Sequence, residues 1–466
     1  MEPAEVRRFS SIGCNDEENG MSQRTAILAE ILGFRGWKVK EVFFEDEDGT
    51  RFEPLAGYAM MPGTRMVLRA ERRWAPRCSG CGTICRHAAH EKLPARRWRD
   101  LPWAGRFVEL EASVIRVKCK RCRSNPVEMV AWADAYQRQT RRLQQHLALQ
   151  AASMPVMHVA VMHGLEWRTV RQAEGAALQR WDATRTPPPL RHVGIDEKWL
   201  GRRHHLEHKF VTIVSNLETG EPIWIGPGRS EETVRAWLAT LSPEQKAAIE
   251  LFSMDMHLAF INAIYGDKDL AHAAIVHDPF HIMKRVSEAL DELRREVFFR
   301  AGPEMRRIGR GARWLILRAW ERCTDEQQEK VKSLLSHNVT LARAYQIKEE
   351  LRDVLHAPDR PSLEQGLQRI LRRTQARSCK PLRALHDSLR GHWDHIVALG
   401  EHHPATGRTE ALNNNWETLV RRARGYRDHA YLLLKLRFMT ANPIRTRDGV
   451  ERFLALDLPA PMRQAA

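Results

Sequence analysis

Two sets of side chains in this sequence are spaced for metal chemistry, one soft and one hard. Cys78-Ser-Gly-Cys81 and Cys119-Lys-Arg-Cys122 are Cys-x-x-Cys pairs, each placing two thiolates on one tight knuckle. Four sulfurs satisfy tetrahedral Zn²⁺ and leave no position for water or substrate, so the expected zinc is structural. Cys85 and His87 are close enough in sequence to compete for a ligand position. The hard ligands lie further on. Asp196 follows the apolar run His192-Val-Gly-Ile195, and Asp255 follows Leu251-Phe-Ser-Met254. If those runs are neighbouring strands, the two carboxylates at their ends can share Mg²⁺ or Mn²⁺, which take oxygen ligands.

Asp278 competes with Asp255, because it also ends an apolar run, in His277-Asp-Pro-Phe-His281. Strand order favours Asp255, since Asp278 would end a strand one place further out. His281 reads either as a positioning or proton-transfer group near the metals or as a satisfied structural histidine. Glu197 points to the other side of the strand from Asp196 and should form a salt bridge. A third acid should come from a later helix. Glu410, in Thr409-Glu-Ala-Leu-Asn-Asn-Asn415, is the best candidate, but the residues alone equally allow a first-turn acid favoured by the helix dipole with Thr409 as cap.

The elements around these residues divide the chain. Residues 1–20 mix charge with Gly, Ser and Asn and read as a disordered tail. An apolar helix (Ile27, Leu28, Ile31, Leu32) and short strands at Met66 to Arg69, Phe107 to Leu110 and Val114 to Val117 make residues 21–135 a small β-rich zinc module. Residues 136–186 carry three short helices. Met157 to Gly164 followed by Glu166 to Trp181 has the length and central Gly of a helix-turn-helix, presenting Arg168, Thr169, Arg171 and Gln172 to a major groove. After Pro187-Pro188-Pro189 the pattern turns α/β, with strands at His192 to Ile195, Phe210 to Ser215, Ile223 to Ile225, Leu251 to Met254 and Ala274 to Val276, and a helix from Glu231 to Leu241. That is the order of an RNase H-like core, spanning 190–442 and interrupted by charged amphipathic helices over about 285–400; residues 443–466 form a C-terminal tail. The expected fold class is multidomain α+β.

Lys and Arg number 74 against 58 Asp and Glu, a formal charge of +16, which favours a polyanionic partner such as nucleic acid. Arg421, Arg422, Arg424 and Arg427 continue from Glu410 and could grip phosphates, and Lys118, Lys120, Arg121 and Arg123 flank the second knuckle. No apolar run approaches the roughly 20 residues of a membrane span, and the first residues lack the order of a signal peptide. With eight cysteines in so long a chain, a disulfide scaffold is excluded and a reducing, cytoplasmic and nucleoid-associated location is expected. Cys14, Cys85, Cys323 and Cys379 have no assigned role.

At these residues the sequence resembles the DDE-type insertion-sequence transposases of bacteria, of the ISL-three type. The resemblance runs from Met21 to about Asn442 and rests on the two knuckles, Ile195-Asp-Glu197, Met254-Asp-Met256, Asp278-Pro-Phe-His281 and the stretch from Thr409 through Tyr426 and Arg427. It implies the triad Asp196, Asp255 and Glu410, and it lifts Glu410 above the capping reading. It also implies two-metal phosphoryl transfer, with hydrolysis freeing a 3′-OH that then attacks target DNA. The partners implied are double-stranded DNA, as terminal inverted repeats and target, and at least one further copy of the chain to pair two ends. Ala411 stands where such proteins usually carry Gly, and Glu417 where a basic residue is common. Two other functions fit the same residues: a DNA-binding regulator derived from a transposase, and a metal-dependent nuclease that does not join strands.

Overall fold

The computed structural model describes residues 34, 36–52, 64–86, 91–103, 105–200, 209–375, 379–405, 407–423 and 426–456. The expected tail at 1–20, the helix around Ile27, Cys14, His87 and Arg424 lie outside them. The chain divides into two units, residues 1–183 with 446–466, and residues 184–445.

The first unit is built on a five-stranded sheet of order β2-β1-β3-β5-β4, with β1 at Trp37–Glu45, β2 at Arg51–Phe52, β3 at Arg65–Arg72, β4 at Glu91–Trp103 and β5 at Arg106–Arg116. β1 begins with the alternation of a half-buried strand: Trp37 and Val39 are buried while Lys38 and Lys40 are exposed. An irregularity between Val39 and Glu41 then resets the pairing with β3. The core gathers around Trp132, whose ring meets Phe34, Trp37 and Trp98 edge-on at centroid distances of 4.9–5.5 Å.

Two strand expectations change here. The separate runs Phe107 to Leu110 and Val114 to Val117 merge, up to Arg116, into one strand, β5, because Glu111 between them is buried rather than solvated. Glu111 accepts from Arg69 at 2.7 Å and from Arg97 at 2.9 Å, so its charge is paired inside the sheet. β4 went unread because Pro94, Pro102 and many charges interrupt it; it lies at the sheet edge, where Pro is tolerated.

Three helices follow, Arg141–Ser153, Val156–Met162 and Trp167–Ala183. Thr140 caps the first, its hydroxyl accepting from Leu143 N and donating to Asp100 of β4 at 2.7 Å. The turn into the third passes through Gly164 at φ 56°, a left-handed position that suits Gly. Leu143, Leu147, Val159, Val170 and Ala173 close a common core. Inside the expected C-terminal tail, Arg447–Ala455 is helical, and Leu454 O accepts from Gln145 of the first helix at 2.7 Å.

The second unit carries a mixed sheet of order β10-β9-β6-β7-β8: β6 at His192–Trp199, β7 at Phe210–Asn216, β8 at Pro222–Pro227, β9 at Leu251–Met254 and β10 at Ala274–His277. β9 pairs parallel with β6 and with β10, while β7 is antiparallel to both its neighbours. All four residues of β9 are buried, as a central parallel strand requires. On one face, Ile195, Phe252 and Met254 pack with Val234, Trp237, Phe260 and Ile264 of helices Glu231–Leu238 and Leu258–Tyr265. On the other, Leu251 and Val276 join a helical cluster that includes Ile282 and Leu290 of helix Pro279–Arg294, Leu341 and Leu351 of Val339–Val354, Leu363 and Leu367 of Arg360–Thr374, and Leu385 of Lys380–Gly391. Within that layer Lys348 is buried with its ammonium donating to Ile316 O at 3.0 Å and Arg318 O at 2.6 Å. Helices Gly407–Ala423 and His429–Ala441 complete the unit.

Candidate functional site

The parallel pairing of β6, β9 and β10 fixes where the acids fall. Ile195 is level with Met254, and Met254 with His277. Asp196, Asp255 and Asp278 are the next residues of the three strands, so one row of the sheet ends in three adjacent carboxylates. They line a single cleft together with Gly194, His281 and Thr409.

Each acid is held differently. Asp196 is buried; its Oδ1 accepts from Glu197 N at 2.8 Å and its Oδ2 from Lys198 Nζ at 2.6 Å. Asp255 accepts from Met256 N at 2.6 Å through Oδ1, and its Oδ2 lies 3.3 Å from His281 Nδ1. Burial opposes its charge, but the His281 ring, the Met256 N–H and Arg285 outweigh that and hold its carboxyl down at about 2. Asp278 spends one oxygen on Phe280 N at 2.9 Å, capping helix Pro279–Arg294. Burial raises its pKa, the charges of Asp196 and Asp255 add to the rise, and Phe280 N–H and His281 oppose it. Strand order therefore did not separate Asp278 from the cleft. What distinguishes it from Asp255 is that it is tied into a helix cap.

His281 faces both strand-end acids, with Nε2 3.9 Å from Asp196 Oδ1. Burial works against its charge, and Asp255, Asp196 and Asp278 reverse the balance, so its pKa is raised. Glu197 points away and pairs with Arg229 at 3.1 Å, as its place in the strand requires. Lys198 was missed in the sequence, although the period-2 rule puts it on the same face as Asp196. Thr409 was considered only as a helix cap. Glu410 lies in the first turn of helix Gly407–Ala423, one residue beyond Thr409; it is exposed and does not line the cleft.

The soft ligands also converge. Cys78, Cys81, Cys119 and Cys122 lie within 4.8 Å of one another through their sulfurs, with Cys78 to Cys122 at 3.8 Å and Cys81 to Cys119 at 3.6 Å. A Zn–S bond of about 2.3 Å gives a tetrahedral edge of about 3.8 Å, so the donor set fits Zn²⁺. Cys85 is buried beside the cluster but outside this group, and burial pushes its thiol pKa up. Cys323 is buried with its Sγ against Ala319 O at 3.4 Å, and Cys379 is half-buried.

The predicted nucleic-acid contacts lie on surfaces. Arg168 and Gln172 are exposed on helix Trp167–Ala183, with Thr169 and Arg171 half-buried beside them. Arg421, Arg422 and Arg427 are exposed, and Arg421 is paired with Glu417 at 2.6 Å. Among the described residues no helix is long and apolar enough to cross a membrane.

A family model described as transposase, that of the DDE transposases of the ISL3 type, matches residues 193–436, just over half of the chain. The chain belongs to the ISL3 family of transposases. A second model, the helix-turn-helix domain of transposase family ISL3, matches residues 128–173 of this transposase and so includes Arg168 to Gln172. The transposase for insertion sequence element IS1001 of Bordetella parapertussis is 29% identical over 416 residues, which is 88% of this chain and 97% of that protein. The transposase for insertion sequence element IS1557 of Mycobacterium tuberculosis is 27% identical over 427 residues, 85% of this chain and 90% of that protein. For this transposase, membership implies DNA cleavage and transfer with divalent metal ions, and the helix-turn-helix match implies DNA binding.

Proposed function

We propose that this transposase binds the terminal inverted repeats of an insertion sequence and performs metal-dependent cleavage and strand transfer with Asp196, Asp255 and Glu410. The observation that carries the reading is the row Ile195, Met254 and His277, after which Asp196 and Asp255 enter one cleft. The sheet order, with β6 beside β9, supports an RNase H-like core over 190–442 with the helices of about 285–400 as an insertion. Glu410, adjoining Thr409 of the cleft, supplies the third carboxylate by a turn of its exposed side chain.

The donor set suits Mg²⁺ or Mn²⁺, because it is made of carboxylate oxygens and the Lys198 ammonium already occupies one of them as a resident cation. When bound, two such ions supply an activated oxygen nucleophile and stabilisation of the leaving 3′ oxygen. The chain's own part is positional and electrostatic. His281 stands between Asp196 and Asp255, which raise its pKa, so it can hold a proton between the two carboxylates and pass it at Nε2. Arg422 and Arg427, with Arg424, hold phosphates beside the scissile bond, and Arg421 contributes less because Glu417 neutralises it. Arg168, Thr169, Arg171 and Gln172 read the repeat, on a region whose knuckles Zn²⁺ holds together. Pairing two element ends requires at least a dimer.

The test incubates purified protein and Mg²⁺ with a labelled duplex carrying the element's terminal repeat, beside an Asp196→Ala control. Nicked and joined products with the parent, and end binding alone with the variant, are expected. Strand transfer by Asp196→Ala would refute the triad. Specific binding without cutting by the parent in Mg²⁺ and Mn²⁺ would favour a regulator, and nicking without joining a nuclease.

A further inference from the structure

A third cluster of ligating side chains lies in the second unit, beside the row of carboxylates but made of different residues. His277 ends β10, His392 follows helix Lys380–Gly391, and His395 lies in helix Trp393–Val397. Each offers a ring nitrogen, and the three nitrogens lie within 4.8 Å of one another. His277 Nε2 is 3.0 Å from His392 Nδ1. Two imidazole nitrogens on one ion at about 2.0–2.1 Å stand about 3.0–3.4 Å apart, so that pair has the separation of a shared ligand edge.

The outer nitrogens are arranged as metal-bound histidines require. A ligating imidazole gives its other N–H to an oxygen, which fixes the tautomer and turns the bare nitrogen to the metal. His277 Nδ1 faces Met254 O at 3.4 Å, and His395 Nε2 meets Tyr265 Oη at 2.7 Å. His395 Nδ1 is then buried without a hydrogen-bond partner, an orphan that a ligand would satisfy. His277 is fully buried while His392 and His395 are half-buried, leaving a side for an ion to enter. Asp255 and Asp394 bring negative charge to the cluster, against Arg285.

We propose that His277, His392 and His395 form a second Zn²⁺ site that pins the helices after Lys380 to the end of β10. Three neutral imidazoles select zinc or a similar borderline ion over Mg²⁺. The site is separate in chemistry from the four cysteines and from the carboxylate cleft, although its anchor, His277, immediately precedes Asp278 of that cleft. Zinc there would fix the insertion against the strand that ends beside the acids.

The full-length chain, stripped of metal and held in excess Mg²⁺ to occupy carboxylates, is titrated with Co²⁺. We expect about two equivalents per chain: one with strong thiolate-to-cobalt charge-transfer absorption, one with weak ligand-field bands alone. The double variant His392→Ala and His395→Ala should lose the second equivalent and keep the thiolate bands. Identical stoichiometry and spectra in parent and variant would overturn the site. Should the variant not fold, X-ray absorption at the zinc edge of the zinc-loaded parent decides: imidazole scattering beside sulfur supports the site, and sulfur alone refutes it.

Discussion

Removing the metal from the four-cysteine cluster should loosen the first unit by an amount the chain itself sets. A tetrahedral ion joins Cys78 to Cys122 across 44 residues and Cys81 to Cys119 across 38. Treated as one covalent cross-link over a loop of that length, the constraint on the unfolded chain is worth about 4 kcal/mol. The remaining core around Trp132 does not depend on the knuckles, so the unit should persist, less stable, rather than unfold outright. For a unit of this size each kcal/mol shifts the melting temperature by about 2–4 °C, so the expected fall is about 8–16 °C. The assay is thermal unfolding of the full chain with and without a zinc chelator, with zinc content measured by plasma emission and hydrogen exchange followed at 77–86 and 117–128. Cys119→Ala, which removes one sulfur and leaves the histidine cluster intact, should reproduce the shift and the faster exchange. A chain purified without zinc at these sulfurs, melting at the same temperature with and without chelator, would refute the cross-link.

Other outcomes follow from packing and charge. Phe252→Ala removes a fully buried ring from β9, and denaturant unfolding should record a loss of about 3–5 kcal/mol. Gly400→Ala would set a Cβ 2.6 Å from the backbone N and Cα of Arg360, which cannot rotate away; a cost of about 1–3 kcal/mol is expected, and unchanged stability would mean the two segments separate freely. Arg168→Ala should weaken binding to the terminal repeat by about 1–3 kcal/mol in a gel-shift titration, while binding to unrelated duplex changes less. Arg422→Ala should lower affinity for all duplexes alike and reduce the slope of log affinity against log salt by about 1.

How far the sequence could be read depended on whether local pattern and tertiary partner agreed. Leu251 to Met254 is apolar but for Ser253 and wholly buried, so its strand was evident; the cap that Thr140 gives the first helix of the turn region was not read and appears only in the structure. The strand β5 was cut in two because Glu111 looks like a surface residue until Arg69 and Arg97 arrive from other parts of the chain. Pair partners 14 and 42 residues away leave no local signature. The cysteine spacing was legible for the opposite reason: the Cys-x-x-Cys knuckle is a local geometry, and only the meeting of the two knuckles needed the sheet.

The cleft divides along the same line. Each of Asp196, Asp255 and Asp278 announces itself by following an apolar run, yet which of them share a site is decided by register, which periodicity cannot give. Register places all three on one row, and the difference between Asp255 and Asp278 then comes from hydrogen bonding: Asp278 commits an oxygen to the helix cap at Phe280, whereas Asp255 spends Oδ1 on its own neighbour Met256 N and keeps Oδ2 toward His281. A carboxylate locked into a cap costs the helix its first turn if it swings to a metal, so Asp255 is the better ligand and Asp278 the better cap. Substituting Asp278→Asn keeps the capping oxygen and removes only the charge. It should leave folding stability near the parent's and slow DNA nicking by less than Asp255→Asn does; equal loss in both variants would place Asp278 on the same footing as Asp255 and overturn this division of roles.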